Sequence, residues 1–251
     1  MKIILSPAKK MVLCDDHDFD MTLPAFESEH QTVLQNLGKL DYETLKKVYA
    51  CSDAIAKPAY EQLHQYLSGT LQQRSPALLT YSGIAFQSLG AGSLEDAQWD
   101  YLQKHLYVLS AVFGAVKPLD AIHPYRLEMQ AKPGFDLYGF WKERLMPLFE
   151  NETVINLASK EYSKVLSGHP DMIDIHFYEE ENGKRKEMST YAKNARGAMV
   201  RWMAQKQIED PSQLTAFDEL GYCFDKEASS PKKLVFARPK PQKNRKSGGT
   251  V

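Results

Sequence analysis

The sequence predicts an α/β protein, with a mixed β-sheet, flanking helices and one compact domain. Three observations lead there. Short apolar runs of strand length alternate with longer stretches of helical period. Hairpin signals near the C-terminal end call for antiparallel strands beside any parallel ones. The composition, 43 % hydrophobic and 25 % charged, is ordinary globular usage and sets disordered and fibrous classes aside.

The elements follow in chain order. Lys2 to Leu5 reads as a buried strand that ends at Ser6-Pro7, because proline cannot continue a ladder. Cys14 to Pro24 is polar loop. Asp41 and Ser52 are N-cap candidates ahead of two helical patterns, and Pro58 inside the second implies a kink or a later start. Ala77 to Tyr81 is a second strand candidate, followed by Ser82-Gly83. Glu95 to His105 is helical, and Leu106 to Leu109 is a third apolar run ending at Ser110. Asp136 caps a helix whose stripe is Leu137, Phe140, Trp141, Leu145 and Leu148. Val154 to Leu157 is a fourth strand, followed by Ala158-Ser159-Lys160. Met172 to Tyr178 alternates, and Glu181-Asn182-Gly183-Lys184 carries the Asn-Gly hairpin signal. Tyr191 to Gln207 is a helix with Ala195, Met199, Trp202 and Met203 on one face. A last strand pair is expected around Tyr222-Cys223-Phe224 and Leu234-Val235-Phe236. The domain is therefore placed at 1–238, and 239–251 is read as a basic, disordered tail.

Charge and cysteine usage narrow the function classes. The net charge is -1, but Pro231 to Val251 holds seven basic residues and no acid, so the remainder stands at -8. An acidic body argues against binding a polyanion with the whole surface, and leaves a local basic patch or the tail. Cys14, Cys51 and Cys223 are scattered with no C-x-x-C, which argues against a disulfide framework or a cysteine-rich zinc site. The apolar start is too short for a signal peptide, and no run reaches the ~18–20 residues that cross a bilayer. The expectation is a cytoplasmic protein with no membrane contact.

Four predicted strand ends run into serine, at Ser6, Ser82, Ser110 and Ser159, and Lys9 and Lys160 lie close by. Ligands of α/β sheets gather outside the carboxyl ends of strands, where serines and lysines suit phosphate. Serine also ends strands simply because it makes good turns. Ser6-Pro7-Ala8-Lys9 matches S-x-x-K, but the S-D-N and K-T-G partners of that nucleophile motif are missing. Leu109 to Asp120 resembles a helix-hairpin-helix, whose hairpin N–H groups would hold a DNA phosphate. A plain buried strand and turn is the competing reading there. Tyr125-Arg126 after a proline turn offers a stacking ring and a fork donor, unless Arg126 merely pairs with Glu128. Lys193 and Arg196 share a helix face beside Gly197, as a phosphate clamp or as a solvated basic face. Neither Cys14-Asp15-Asp16-His17-Asp18 nor Asp174-x-His176 has recognised ligand spacing, so neither a metal nor a cofactor is expected.

Taken together, the segments Ile3 to Lys9, Lys117 to Asp120, Pro124 to Met129, Asp136 to Trp141, Val154 to Tyr162, Tyr191 to Gly197 and Leu220 to Tyr222 resemble the YaaA peroxide-stress family. The resemblance runs from Met1 to about Arg238. It implies a basic cleft with a helix-hairpin-helix-like element, DNA as partner without strong sequence preference, and a role in limiting free iron under hydrogen peroxide. Carried over position by position, the cleft candidates are Lys9, Lys117, Arg126, Lys160, Lys193 and Arg196. Two positions depart from the family: Ala111 stands where a hairpin glycine is common, and Ile84 where some members carry an acid. A rival reading is an enzyme on a nucleotide or DNA base, with Lys117 as amine nucleophile and Asp120 beside it. An iron-binding protein is a third, which the scattered ligands do not favour.

Overall fold

The apolar run at the N-terminus forms β1 (Lys2–Leu5), with Ile3, Ile4 and Leu5 fully buried as a strand covered on both faces requires. A computed structural model, describing residues 1–241, places it at the centre of the sheet. After the N-terminal loop come α1 (Glu27–Gly38), α2 (Tyr42–Tyr49) and α3 (Asp53–Leu67). Asp41 caps α2 by accepting the Thr44 N–H at 2.8 Å. Ser52 stands at the N-cap of α3 without a side-chain cap bond, and Pro58 lies inside that helix.

Then follow β2 (Ser75–Pro76), α4 (Ala77–Thr80), α5 (Ile84–Leu89), α6 (Asp96–His105), β3 (Leu106–Ser110), β4 (Gly114–Val116) and β5 (Ala121–Ile122). The second half contributes α7 (Leu137–Leu148), β6 (Val154–Leu157), α8 (Lys160–Ser163), β7 (Met172–Glu181), β8 (Lys184–Lys186), α9 (Ser189–Lys206), β9 (Cys223–Phe224) and β10 (Lys233–Pro239). Asp136 caps α7 through the Tyr138 N–H. Asn182 and Gly183 both take positive φ, 52° and 70°, as the tight hairpin between β7 and β8 demands.

The main sheet runs β4-β3-β1-β6-β7-β10-β9, with β8 paired to β7. Its centre is parallel: β3, β1, β6, β7 and β10 all point one way. Strands β4, β8 and β9 are antiparallel additions, so the sheet is mixed as expected. The chain leaves β1 to form β3 on one side and later β6 on the other. That reversal puts a topological switch point at the carboxyl end of β1. Among the described residues no helix is long and apolar enough to cross a membrane.

Two expectations are corrected. Ala77 to Tyr81 is not a sheet strand but the single turn α4, its Ala77 and Leu78 N–H groups taken by the Asp120 and Pro118 carbonyls. The helix-hairpin-helix over Leu109 to Asp120 is instead the β3–β4 hairpin, with Val108 opposite Val116. Ala111, Val112 and Phe113 in its turn are fully buried, and Ser110 Oγ accepts the N–H groups of Val112 and Phe113 at 3.2 and 3.0 Å. Those amides are not free for a phosphate. Helices joined by short turns occur earlier, where three residues separate α2 from α3.

The last strand also shifts the predicted tail. Strand β10 reaches Pro239, and the Lys240 N–H donates to the Glu180 carbonyl at 2.9 Å. Residues 242–251, most of the predicted tail, lie outside the described residues.

Candidate functional site

The carboxyl ends of β1 and β6 meet through two serines. Ser6 Oγ accepts the Ser159 N–H at 2.7 Å and donates to Ser159 Oγ at 3.1 Å. Over this seam opens a cavity of about 340 Å³. Its walls come from the loop after β1, the start of α5, the Tyr125–Glu128 loop, the Ser159–Tyr162 segment and one face of α9. The position is the one the topology favours, at the switch point beyond the strand ends.

The other two strand-end serines have different tasks. Ser110 Oγ donates to Tyr125 OH at 2.8 Å, and that hydroxyl lies 3.0 Å from Tyr81 OH. Burial pushes the Tyr125 phenol up to about 12 and the Tyr81 phenol well above its ordinary value, so both keep their protons. Ser82 follows a helical turn, and its N–H donates to the Lys10 carbonyl at 2.9 Å, holding the loop that carries Lys9.

Four of the six predicted cations line this cavity: Lys9, Arg126, Lys193 and Arg196. They come from three separate stretches of chain. Lys9 is the exposed one, with its side chain 67 % accessible and Nζ 2.5 Å from Glu128 Oε1. Arg126 is held close by the same carboxylate, at 3.4 Å, and is 14 % accessible. Arg196 is equally sheltered and donates to Glu187 Oε1 at 2.9 Å. Burial draws its pKa down, and the Glu187 charge works against that. His176, with Nδ1 4.0 Å from Oε2, and then the Arg196 charge hold Glu187 below the usual carboxylate range. Arg126 Nε and Arg196 Nε are buried with no acceptor.

Lys160 lies in an adjoining, larger cavity of about 610 Å³, at the end of β6 and beside Asp174 to His176 in the first half of β7. Ser159, Lys193 and Arg196 line both spaces. Lys117 is the candidate that does not join the cleft. The antiparallel β4 carries it back toward the start of β3, where Nζ sits 5.7 Å from the Tyr107 ring centroid. Its partner in the lyase reading, Asp120, accepts from the Lys117 N–H and from Thr22 Oγ1 at 2.8 and 2.7 Å. That pair is a closed turn, not a nucleophile and its base.

Sequence reasoning missed the acidic members. Glu128 and Glu161 both line the main cavity, and burial raises the pKa of Glu161. In sequence Glu128 is legible only as a competing partner for Arg126. Glu161 follows Ser159-Lys160 directly, so proximity to a strand end was its available signal. The Asp174 and His176 pair shares a face beside Lys160, and Asp174 accepts from Asn156 Nδ2 at 2.7 Å.

Fold and site together define a mixed α/β protein with a mainly cationic cavity at a strand-end switch point. Residues 1–228 match the family model described as peroxide stress protein YaaA. A UPF0246 protein of Agathobacter rectalis is 41 % identical over 248 residues, covering 95 % of this chain and 99 % of its own. One from Lactiplantibacillus plantarum is 39 % identical over 246 residues, covering 94 % and 98 %. Another, from Desulfitobacterium hafniense, is 38 % identical over 254 residues, covering 97 % and 100 %. The chain belongs to the YaaA peroxide stress protein family.

Proposed function

We propose that this protein binds DNA in the cytoplasm during peroxide stress, using the cavity beyond β1 and β6 to hold phosphate. The observation that carries the reading is the pair of guanidinium groups, Arg126 and Arg196, that line one cavity together with Lys9 and Lys193. Guanidinium and phosphate are matched in charge and in fork geometry. Five cationic side chains and two carboxylates line the cavity, a local positive excess in a chain of net charge -1. Such a concave patch concentrates field where a polyanion would enter. Limitation of free iron is the cellular effect that family membership suggests. Among the described residues no group of three or more His, Cys, Asp or Glu is placed to hold a metal ion, so this reading gives the chain no iron ligands.

The test is fluorescence anisotropy of the full chain with duplex, branched and single-stranded DNA at low and moderate salt. On duplex DNA the logarithm of the binding constant should fall with that of the salt, at about -0.9 per phosphate contacted. Absence of binding to all three forms at low salt would refute the reading.

A second reading, an enzyme on a nucleotide or base, is favoured by Glu161, a carboxyl whose pKa burial raises inside the same cavity. A raised carboxyl is the usual form of a general acid. The amine of a lyase would then be Lys193 or Lys9, since Lys117 lies elsewhere. Borohydride trapping on damaged and undamaged DNA, with base release followed in parallel, checks it. No adduct and no released base would remove it.

A further inference from the structure

The main cavity has room for one nucleotide, not for a duplex. Its volume, about 340 Å³, sits at the lower end of the ~300–1,000 Å³ typical of small-ligand pockets. Its lining divides by chemistry. Phe86, Tyr125 and Tyr162 supply ring surface, while Ser159 and Glu161 offer groups that pair with the edge of a base. Two of its five cations, Lys193 and Arg196 on α9, line both this space and the larger one beside it. A backbone phosphate between two nucleosides has that same relation to its neighbours.

Resting on the DNA-binding reading, we infer that the site takes a single unpaired nucleotide turned out of the stack. Its base enters the smaller cavity, its phosphate lies on Lys193 and Arg196, and the next nucleotide follows the larger one past Lys160. Extruding a base costs a few kcal/mol, and least where the base is already unpaired. The protein therefore prefers DNA with an unpaired residue over the same duplex fully matched. A free nucleotide would fill the smaller cavity alone and leave the larger one unused.

The experiment compares three fluorescein-labelled probes with the full chain: a matched duplex, that duplex with one bulged 2-aminopurine, and the single strand. The expected result is about tenfold tighter binding of the bulged probe than of the matched one. A change in 2-aminopurine emission should accompany it. Ile84 lines the mouth and is 38 % exposed, so Ile84→Trp should obstruct entry and bring the two duplex probes to equal affinity. Circular dichroism checks that the variant folds. Lys160→Ala should reduce the salt slope on the bulged probe by about 1 and leave the 2-aminopurine signal in place.

Equal affinity of wild-type protein for matched and bulged duplexes overturns the inference while DNA binding stands. So does a preference that survives Ile84→Trp, or a salt slope that Lys160→Ala does not move. Displacement of the bulged probe by free deoxyadenosine monophosphate at matching base concentration also overturns it, in favour of a free nucleotide. If no probe binds, this inference and the DNA-binding reading fall together.

Discussion

Arg196 joins structure to site. One guanidinium nitrogen donates to Glu187 at 2.9 Å, and Nε, buried, has no acceptor. Removing Lys193 and Arg196 together should make the salt slope less negative by roughly 1 per cation that touches phosphate. Arg196→Lys should keep most of the slope and lose affinity, because an ammonium keeps the charge but not the fork. Anisotropy across a salt series reads both, and an unchanged slope in the double variant would take α9 out of the interface. A different residue pair sets a pH limit. His123 Nδ1 lies 2.9 Å from the Pro124 carbonyl, so it carries the proton, and its Nε2 accepts from His30 Nε2 at 3.2 Å. Burial draws His30 down to about 4 and His123 to about 3. Unfolded histidines titrate near 6.5, so below that pH the unfolded chain binds protons that the folded one refuses. Stability should therefore be full above about pH 6.5 and fall as pH drops toward about 4. Urea titrations across that window check the limb, and a His30→Phe/His123→Phe double variant should flatten it.

Helix packing decides whether those residues face each other at all. Helix α9 carries Lys193 and Arg196, and α5 carries Ile84 and Phe86 on another wall of the cavity. Their contact depends on Gly197, where a Cβ would lie 1.9 Å from the Ala85 carbonyl oxygen. The obstacle is backbone and cannot rotate away. Gly197→Ala should thus cost about 3 kcal/mol, the upper part of the usual overpacking range, and widen the cavity. A urea midpoint within error of wild type would show that the helices can separate freely. The glycine was legible in sequence as a site of close approach, but its partner was not. Legibility of the elements followed the same rule. Strands β1 and β6 and helices α7 and α9 are readable because apolar pattern and length agree, and in α7 the Asp136 cap agrees as well. Ala77 to Tyr81 suggests a strand because a short apolar run is the same for a buried strand and a buried turn of helix. Helix α1 is harder to read, although His30, Val33, Leu34 and Leu37 form a regular buried stripe. Its first member is a histidine that looks polar until it is seen stacked on Phe113.

Across the whole molecule, convergence was the part that sequence could not supply. Lys9, Arg126 and Arg196 are far apart in the chain, and only the strand order around β1 brings their segments to one cavity. Types and strand-end positions were readable; strand order, and the antiparallel return that removes Lys117, were not. The charge division also moves. Lys232, Lys233, Arg238 and Lys240, counted with the basic end, belong to the folded body around β10. Arg238 lies over the Tyr191 and Tyr222 rings, with centroids 5.0 and 4.3 Å away, and Lys240 pairs with Glu181 at 2.7 Å. Only Lys243, Arg245 and Lys246 stand beyond Pro241. A chain ending at Pro241 should accordingly keep its preference among DNA forms. Its overall affinity should drop by no more than three phosphate contacts, a slope change of at most about 2.7 on duplex DNA. Ending the chain at Arg238 should do more, since it removes the Lys240 N–H that bonds Glu180 and the ion pair to Glu181. Its signature would be a lower unfolding midpoint, which the cut at Pro241 should leave unchanged. If the cut at Pro241 instead abolishes all binding, the basic end is the polyanion site and the cavity serves something other than DNA.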